Sequence, residues 1–108
     1  MKHLNLLNAL SYFADHDRDI TVQTLRYLLY VYQYPGRSIT AVGEALGDPA
    51  GMASRYFQVL SRGGKSTLKQ GYGWVALHDD PDHGLRKNAY LSPKGQQIIG
   101  DMLKALEK

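Results

Sequence analysis

The sequence contains no cysteine. Disulfide staples, thiolate metal ligands and thiol nucleophiles are therefore excluded, and 108 residues must be held by one ordinary apolar core. Proline is scarce, with four residues, and each sits where a helix or strand is expected to stop or start: Pro35, Pro49, Pro81 and Pro93. No apolar run approaches the roughly 20 residues that span a bilayer. The N-terminal segment interrupts its leucines with polar residues and offers no small-residue cleavage site, which argues against a secretion signal and for a cytoplasmic protein. No membrane partner is expected. Acidic residues are missing from one stretch: positions 54–78 hold Arg55, Arg62, Lys65 and Lys69 and no Asp or Glu. The net charge of +3 is small, so this placement matters more than the total.

What is present has helical periodicity. From Lys2 to about His16, Leu4, Leu7, Leu10 and Phe13 recur at the spacing of an amphipathic helix. Asp15 to Asp19 form a polar break. Thr21 can cap a second helix from Val22 to about Tyr34, ended by Pro35-Gly36. That helix is apolar almost all round, with Leu25, Leu28, Leu29 and Tyr32 on one face and Tyr27, Tyr30, Val31 and Tyr34 over much of the rest. Such a helix is expected to be covered from two sides.

The organising stretch is Ser38 to Leu60. Ala41–Leu46 reads as a short helix with Thr40 as N-cap. Gly47 can take the left-handed conformation that ends it. Asp48-Pro49 can open the next helix, with the Asp as cap and the Pro at the first helical position. Two helices joined by a tight glycine turn are the sequence form of a helix-turn-helix. In the second helix Met52, Tyr56 or Phe57, Val59 and Leu60 supply the inward side. Ala50, Gly51, Ser54, Arg55 and Gln58 face out.

Residues 61–73 are glycine-rich and basic, expected as a loop with one added helical turn. Trp74–Asp80 and Arg86–Leu91 read as two strands joined by the turn Pro81-Asp82-His83-Gly84. Trp74 should plug the core beneath them. Ser92-Pro93 opens a last helix to about Glu107, with Ile98, Ile99, Met102, Leu103 and Leu106 as its apolar stripe. The fold class is mainly α (α+β): a single winged helix-turn-helix domain over 1–108. The helix-turn-helix spans about 40–62, a two-stranded β-hairpin wing about 73–91, and flanking N- and C-terminal helices 2–16 and 93–107.

Several patterns that resemble chemistry dissolve on inspection. Gly64-Lys65-Ser66 matches the end of a phosphate-binding loop, but Val59 stands where its first glycine must be and a helix, not a strand, precedes it. His78, Asp79, Asp80, Asp82 and His83 have metal-ligand types without zinc spacing, and Asp is a favoured turn residue. Neither a nucleophile–base pair nor a second carboxylate cluster completes an active site. The chain reads as a non-enzyme with no metal and no cofactor.

The pieces together resemble the MarR family of winged-helix transcriptional regulators, over roughly Asp19 to Met102. The resemblance is carried by Ile39-Thr40 opening a helix that ends Leu46-Gly47, by Ser54-Arg55 in the next helix, by Asp80-Pro81-Asp82 at the wing, and by Leu91-Ser92-Pro93-Lys94-Gly95. It implies a homodimer joined through its terminal helices, here Leu4, Leu7, Leu10, Ile99, Met102, Leu103 and Leu106. It implies a recognition helix in the major groove and a wing reaching toward the minor groove through His83, Arg86 and Lys87. The chain departs from the family at the wing tip, His83-Gly84-Leu85, where the family tends to carry Arg. It is also short, which leaves little room for a small-molecule effector.

Physical chemistry supplies the roles. A helix N-terminus attracts phosphate, Arg55 can pair with guanine edges and Gln58 with adenine. Arg37, Thr40, Arg62, Lys65 and Lys69 can contact phosphates without reading sequence. The expected function is a sequence-specific double-stranded DNA-binding transcriptional regulator, a dimeric repressor located with the nucleoid. Two alternatives stay open: a winged-helix protein-interaction module, and an architectural or recombination accessory factor.

Overall fold

A computed structural model describes residues 2–49, 51–61 and 71–107 of the chain. The element order is α1 (Lys2–His16), α2 (Val22–Gln33), α3 (Ile39–Leu46), α4 (Met52–Leu60), β1 (Val75–Asp80), β2 (His83–Leu91) and α5 (Pro93–Glu107). Among the described residues this is the expected architecture of five helices and one hairpin; the added turn expected within 61–73 falls largely outside them.

α2 is the central post. Thr21 Oγ1 accepts from the Thr24 backbone N–H at 3.1 Å, which satisfies one of the free donors of the first turn. Tyr27, Leu28 and Val31 are wholly buried, while Leu29 and Tyr32 remain exposed. The buried face runs through 24, 27, 28 and 31, and the arc of Leu29 and Tyr32, on a helix expected to be covered from two sides, stays open in the single chain. Both arcs are apolar, so periodicity alone could not choose between them.

α1 and α5 pack against each other and close the core from the other end. α1 contributes Ala9 and Phe13, and α5 contributes Ile98, Ile99, Met102 and Ala105. The entry to α5 is tightly built. Ser92 Oγ donates to the Gly73 carbonyl at 2.6 Å and accepts from the Gly95 N–H at 3.0 Å. The Ser92 N–H donates to the Trp74 carbonyl at 3.0 Å. A Cβ at Gly95 would lie 1.9 Å from that carbonyl oxygen, so only glycine fits there. Trp74 is buried as expected, edge-on to Phe13 and stacked on Tyr72 at 4.4 Å.

The two strands are antiparallel, from Val75 opposite Leu91 to Asp79 opposite Lys87. Beyond that pair the register shifts and Asp80 lies opposite His83. The second strand thus begins at His83 and not at Arg86, the turn contracts to Pro81-Asp82, and 84–86 bulge out of the ladder. Residues 36–38 add a short third lane. Gly36 N–H donates to the Ala89 carbonyl, Ala89 N–H donates to the Arg37 carbonyl, and Ser38 bridges to Asn88. This lane ties the wing to the start of α3.

Candidate nucleic-acid interface

The helix-turn-helix is set by its caps. Ser38, not Thr40, caps α3: its Oγ accepts from the Ala41 N–H at 3.1 Å. Thr40 lies within the first turn with an exposed side chain. Gly47 ends α3 at φ 80°, and the Gly47 and Asp48 N–H groups donate to the carbonyls of Glu44 and Gly43. That is the Schellman arrangement expected of a helix-ending glycine.

α4 begins at Met52, with Gly51 as cap at φ 94°, and not at Asp48-Pro49. Asp48 is occupied elsewhere: its carboxylate accepts the hydroxyl hydrogen bond of buried Tyr27. Pro49 still contributes to the turn, because its carbonyl accepts from the Met52 N–H at 3.2 Å. Burial and this hydrogen bond both push the Tyr27 phenol well above its ordinary value. The Tyr27 ring also packs on Tyr56 at 4.7 Å and edge-on to Phe57 at 5.6 Å. One side chain of the central post thereby holds both the turn and the body of α4.

α4 buries Ala53, Phe57 and Leu60. Gly51, Ser54, Arg55 and Gln58 are exposed, as expected. Val59, expected inside, is 37% exposed and joins the outward face, because the inward arc is centred on Ala53 and Phe57. The last carbonyls of α4 are satisfied by the returning chain: the N–H groups of Tyr72, Trp74 and Gly73 donate to the carbonyls of Val59, Leu60 and Ser61. Tyr72 is anchored in turn by its hydroxyl, which donates to Asp17 at 2.6 Å. Burial and this bond push its phenol upward as well. Ala50, Arg62, Lys65 and Lys69 lie outside the described residues.

Around α4, Arg37 is exposed with its guanidinium over the Tyr34 ring at 5.2 Å. Thr40 shares a shallow groove with Glu44, Gly51 and Ser54. Glu44 is the residue the sequence reading passed over. Its position four residues after Thr40, on the same face of α3, was the available signal. A carboxylate here repels phosphate and can accept from a cytosine amino group.

On the wing His83 and Arg86 are exposed, but Lys87 is paired with Asp79 at 2.6 Å across the strands. Lys87, expected as a wing contact, thus has a carboxylate partner in the folded chain, though its side chain stays exposed. The Lys87 ammonium holds the exposed Asp79 carboxyl below its usual range. Asp80 is also lowered, chiefly by the Asp82 backbone N–H, whose donor lies 2.9 Å from Asp80 Oδ1. The acidic residues thus serve the hairpin, and His78 packs edge-on to Tyr90 at 5.4 Å. Leu85, in the bulge, is 102% exposed.

The residues assigned to a dimer seam divide. Ile99 and Met102 are buried inside the single chain and Leu103 is half-buried. Leu4, Leu7, Leu10 and Leu106 are exposed, with Leu7 at 59%. Between the ends of α2 and β2 and the side of α5 lies a groove of about 460 Å³, lined by Val31, Tyr32, Tyr90, Leu91, Ile99 and Leu103. Its size falls within the ordinary range for small-molecule sites. A concavity is thus present where the short chain was expected to leave little room for one.

No protein-family model and no curated protein matches the chain. Solved structures do match it. MarR superposes with a TM-score of 0.68 at 18% identity, covering 97% of this chain and 72% of MarR. The transcriptional regulator Tm0710 from Thermotoga maritima gives 0.73 at 14% identity, covering 97% of this chain and 66% of its own. The fold is the MarR-type winged helix. Reduced AbfR, in a structure bound to DNA, shares this MarR-type fold with a TM-score of 0.66 at 15% identity, covering 90% of this chain and 67% of AbfR. Against other regulators of the MarR-type fold the chain spans less than two thirds of their length, 59% and 58% in two cases. At these identities the likeness is one of fold. Among the described residues, no helix is long and apolar enough to cross a membrane.

Proposed function

We propose that this chain is a sequence-specific double-stranded DNA-binding transcriptional regulator that acts as a homodimer. The observation that carries the reading is the split of α4. Ala53, Phe57 and Leu60 lock it onto α2 and α3, while Ser54 and Arg55 stand exposed side by side with Gln58 about one turn further on. A rigidly mounted helix with hydrogen-bonding groups on its free face is what base reading requires. The DNA-bound AbfR structure supports a nucleic-acid partner for this fold.

In this reading α4 enters the major groove. Gly51 allows close approach at the helix start, and Arg55 and Gln58 meet base edges. Arg37 and Thr40, together with Arg62, Lys65 and Lys69, hold phosphates. His83 and Arg86 reach the neighbouring groove. Leu4, Leu7, Leu10 and Leu106 join two copies, so that the site is a two-fold repeat with half-sites about one helical turn, or a multiple of it, apart. The chain acts by occupying its operator and excluding polymerase, without catalysis, in the cytoplasm.

The test is selection from a pool of random duplexes at ~150 mM salt, which suppresses purely electrostatic binding. An enriched inverted repeat is expected. No enrichment, with the protein folded, would overturn the reading.

A further inference from the structure

Among the described residues the most exposed large apolar side chain is Leu85. It is 102% exposed, more than any other large hydrophobic residue described. Its exposure is built in by the hairpin. The register passes from Asp79 opposite Lys87 to Asp80 opposite His83, so three residues of the second strand have no partner across the ladder. Leu85 is the middle one, and the bulge carries it away from both strands. Gly84 beside it has open space around its missing side chain. Nothing bulky therefore stands between the leucine and an approaching surface.

The surroundings select what that surface is. Arg86 follows directly and is exposed, and no hydrogen bond or ion pair holds it among the described residues. His83 is exposed on the other side of the bulge. The one cation of the wing that is neutralised, Lys87, sits below the bulge against Asp79. Asp79 is engaged by Lys87 and Asp80 by the backbone N–H groups of the turn, while Asp82 stays exposed at its corner, so the group beside the leucine that can meet phosphate is Arg86. The support is stiff. The lane formed by Gly36, Arg37 and Ser38 bonds the base of the wing to the start of α3. With α4 in a major groove, a hairpin fixed beside the helix-turn-helix faces the next groove along the duplex, and that groove is the minor one.

We propose that Leu85 is a wedge that enters the minor groove, separates one base step and bends the DNA at the flank of the site read by α4. The inference rests on the DNA-binding reading and adds to it a residue and a mechanical act. Apolar side chains inserted from the minor groove partly unstack a step and kink the duplex by about 20–90° toward the major groove. The step chosen should be a pyrimidine–purine step, because those unstack most readily. Leu85 would then set sequence preference at a position that no polar group contacts. The energy of burying the leucine offsets the unstacking, and Arg86 holds the phosphate next to the kink.

The experiment uses the full chain on the duplex it selects, with 2-aminopurine placed in turn at each step flanking the α4 site, and with end-to-end energy transfer as the bend readout. The wild type should raise 2-aminopurine emission at one flanking step and shorten the end-to-end distance. Leu85→Ala should abolish both signals, lower affinity by ~3–10-fold, and leave the preference at the positions read by Arg55 intact. Leu85→Met, long and apolar, should keep the bend. A Leu85→Ala complex bent as much as the wild type would overturn the wedge while leaving the DNA-binding reading standing. A wild-type complex with straight DNA would do the same. A wild type that selects no duplex would overturn the underlying reading and the wedge with it. Because Leu85 is fully exposed in the folded chain, its variants should melt like the wild type.

Discussion

Gly43 on α3 faces Ala53 on α4 so closely that a Cβ at Gly43 would lie 2.8 Å from the Cβ of Ala53. The two helices of the helix-turn-helix cross at this point, and the missing side chain sets their separation. The helix that would read DNA is therefore positioned by the absence of one methyl group.

Replacing that hydrogen makes the first prediction. Gly43→Ala gains about 1 kcal/mol of helix propensity but overpacks the crossing, which costs about 1–3 kcal/mol. We expect a net loss of stability and a larger loss of operator affinity, because α4 must move outward. Ala53→Gly in the same chain should restore much of the affinity by making room. Thermal melts and binding isotherms on the four proteins of this cycle test it. Additive effects of the two changes would show that the contact does not set the spacing.

Arg55 is exposed in the middle of the outward face of α4. Arg55→Ala should cost roughly 1–3 kcal/mol of binding and relax preference at one base pair, as expected for a side chain that meets a base edge. Selection repeated with the variant measures both. Equal weakening on all sequences would place Arg55 on phosphate instead.

Lys87 and Asp79 neutralise each other across the wing at 2.6 Å. Asp79→Asn should release the ammonium for phosphate. Affinity should then rise for specific and non-specific duplexes alike, and the slope of log K against log salt should steepen by about one. An unchanged slope would keep Lys87 out of the interface.

One buried and one half-buried phenol predict an alkaline limit. Tyr27 and Tyr72 are both raised above the ordinary value of about 10, first by burial and then by their bonds to Asp48 and Asp17. The folded chain holds these protons more tightly than the unfolded one. The stabilisation is thus complete below about pH 10 and is lost as pH rises beyond it. Denaturant midpoints of the wild type should fall steeply in that range. In a chain carrying Tyr27→Phe and Tyr72→Phe they should fall less steeply, from a lower starting value at neutral pH.

The elements were legible in the sequence because each carries its own punctuation. Thr21 before α2, Gly47 after α3 and Ser92-Pro93 before α5 all act in the structure as their chemistry suggested. What the sequence concealed lay in tertiary choices. Asp48 has the right chemistry for a cap, but the Tyr27 hydroxyl, 21 residues away, engages it and the helix starts later. Lys87 reads as a free cation until the strand register sets it opposite Asp79. Val59 and Leu29 are apolar on helices with more apolar arc than the core can cover, and only packing decides which residues are left outside. The bulge at 84–86 has no sequence marker beyond Gly84, so neither the exposure of Leu85 nor the short turn could be read in advance.

The division of the terminal helices gives the last prediction. Leu7 is 59% exposed on α1, whereas Met102 on α5 is buried in the core of the single chain. If the exposed leucines of α1 join two copies, Leu7→Asp should convert the dimer to a monomer, since a carboxylate buried at a seam is costly. It should leave the far-ultraviolet spectrum of the chain intact. Loss of the second copy should weaken binding to a full inverted repeat far more than to an isolated half-site. Met102→Ala should do the opposite. It removes a core side chain, costs about 2–5 kcal/mol of stability and leaves the oligomeric state of the folded fraction unchanged. Sedimentation velocity with melting curves separates the two effects. A Leu7→Asp protein that still sediments as a dimer would move the seam away from α1. Tyr32, exposed near the end of α2 and lining the groove, would be the next residue to probe.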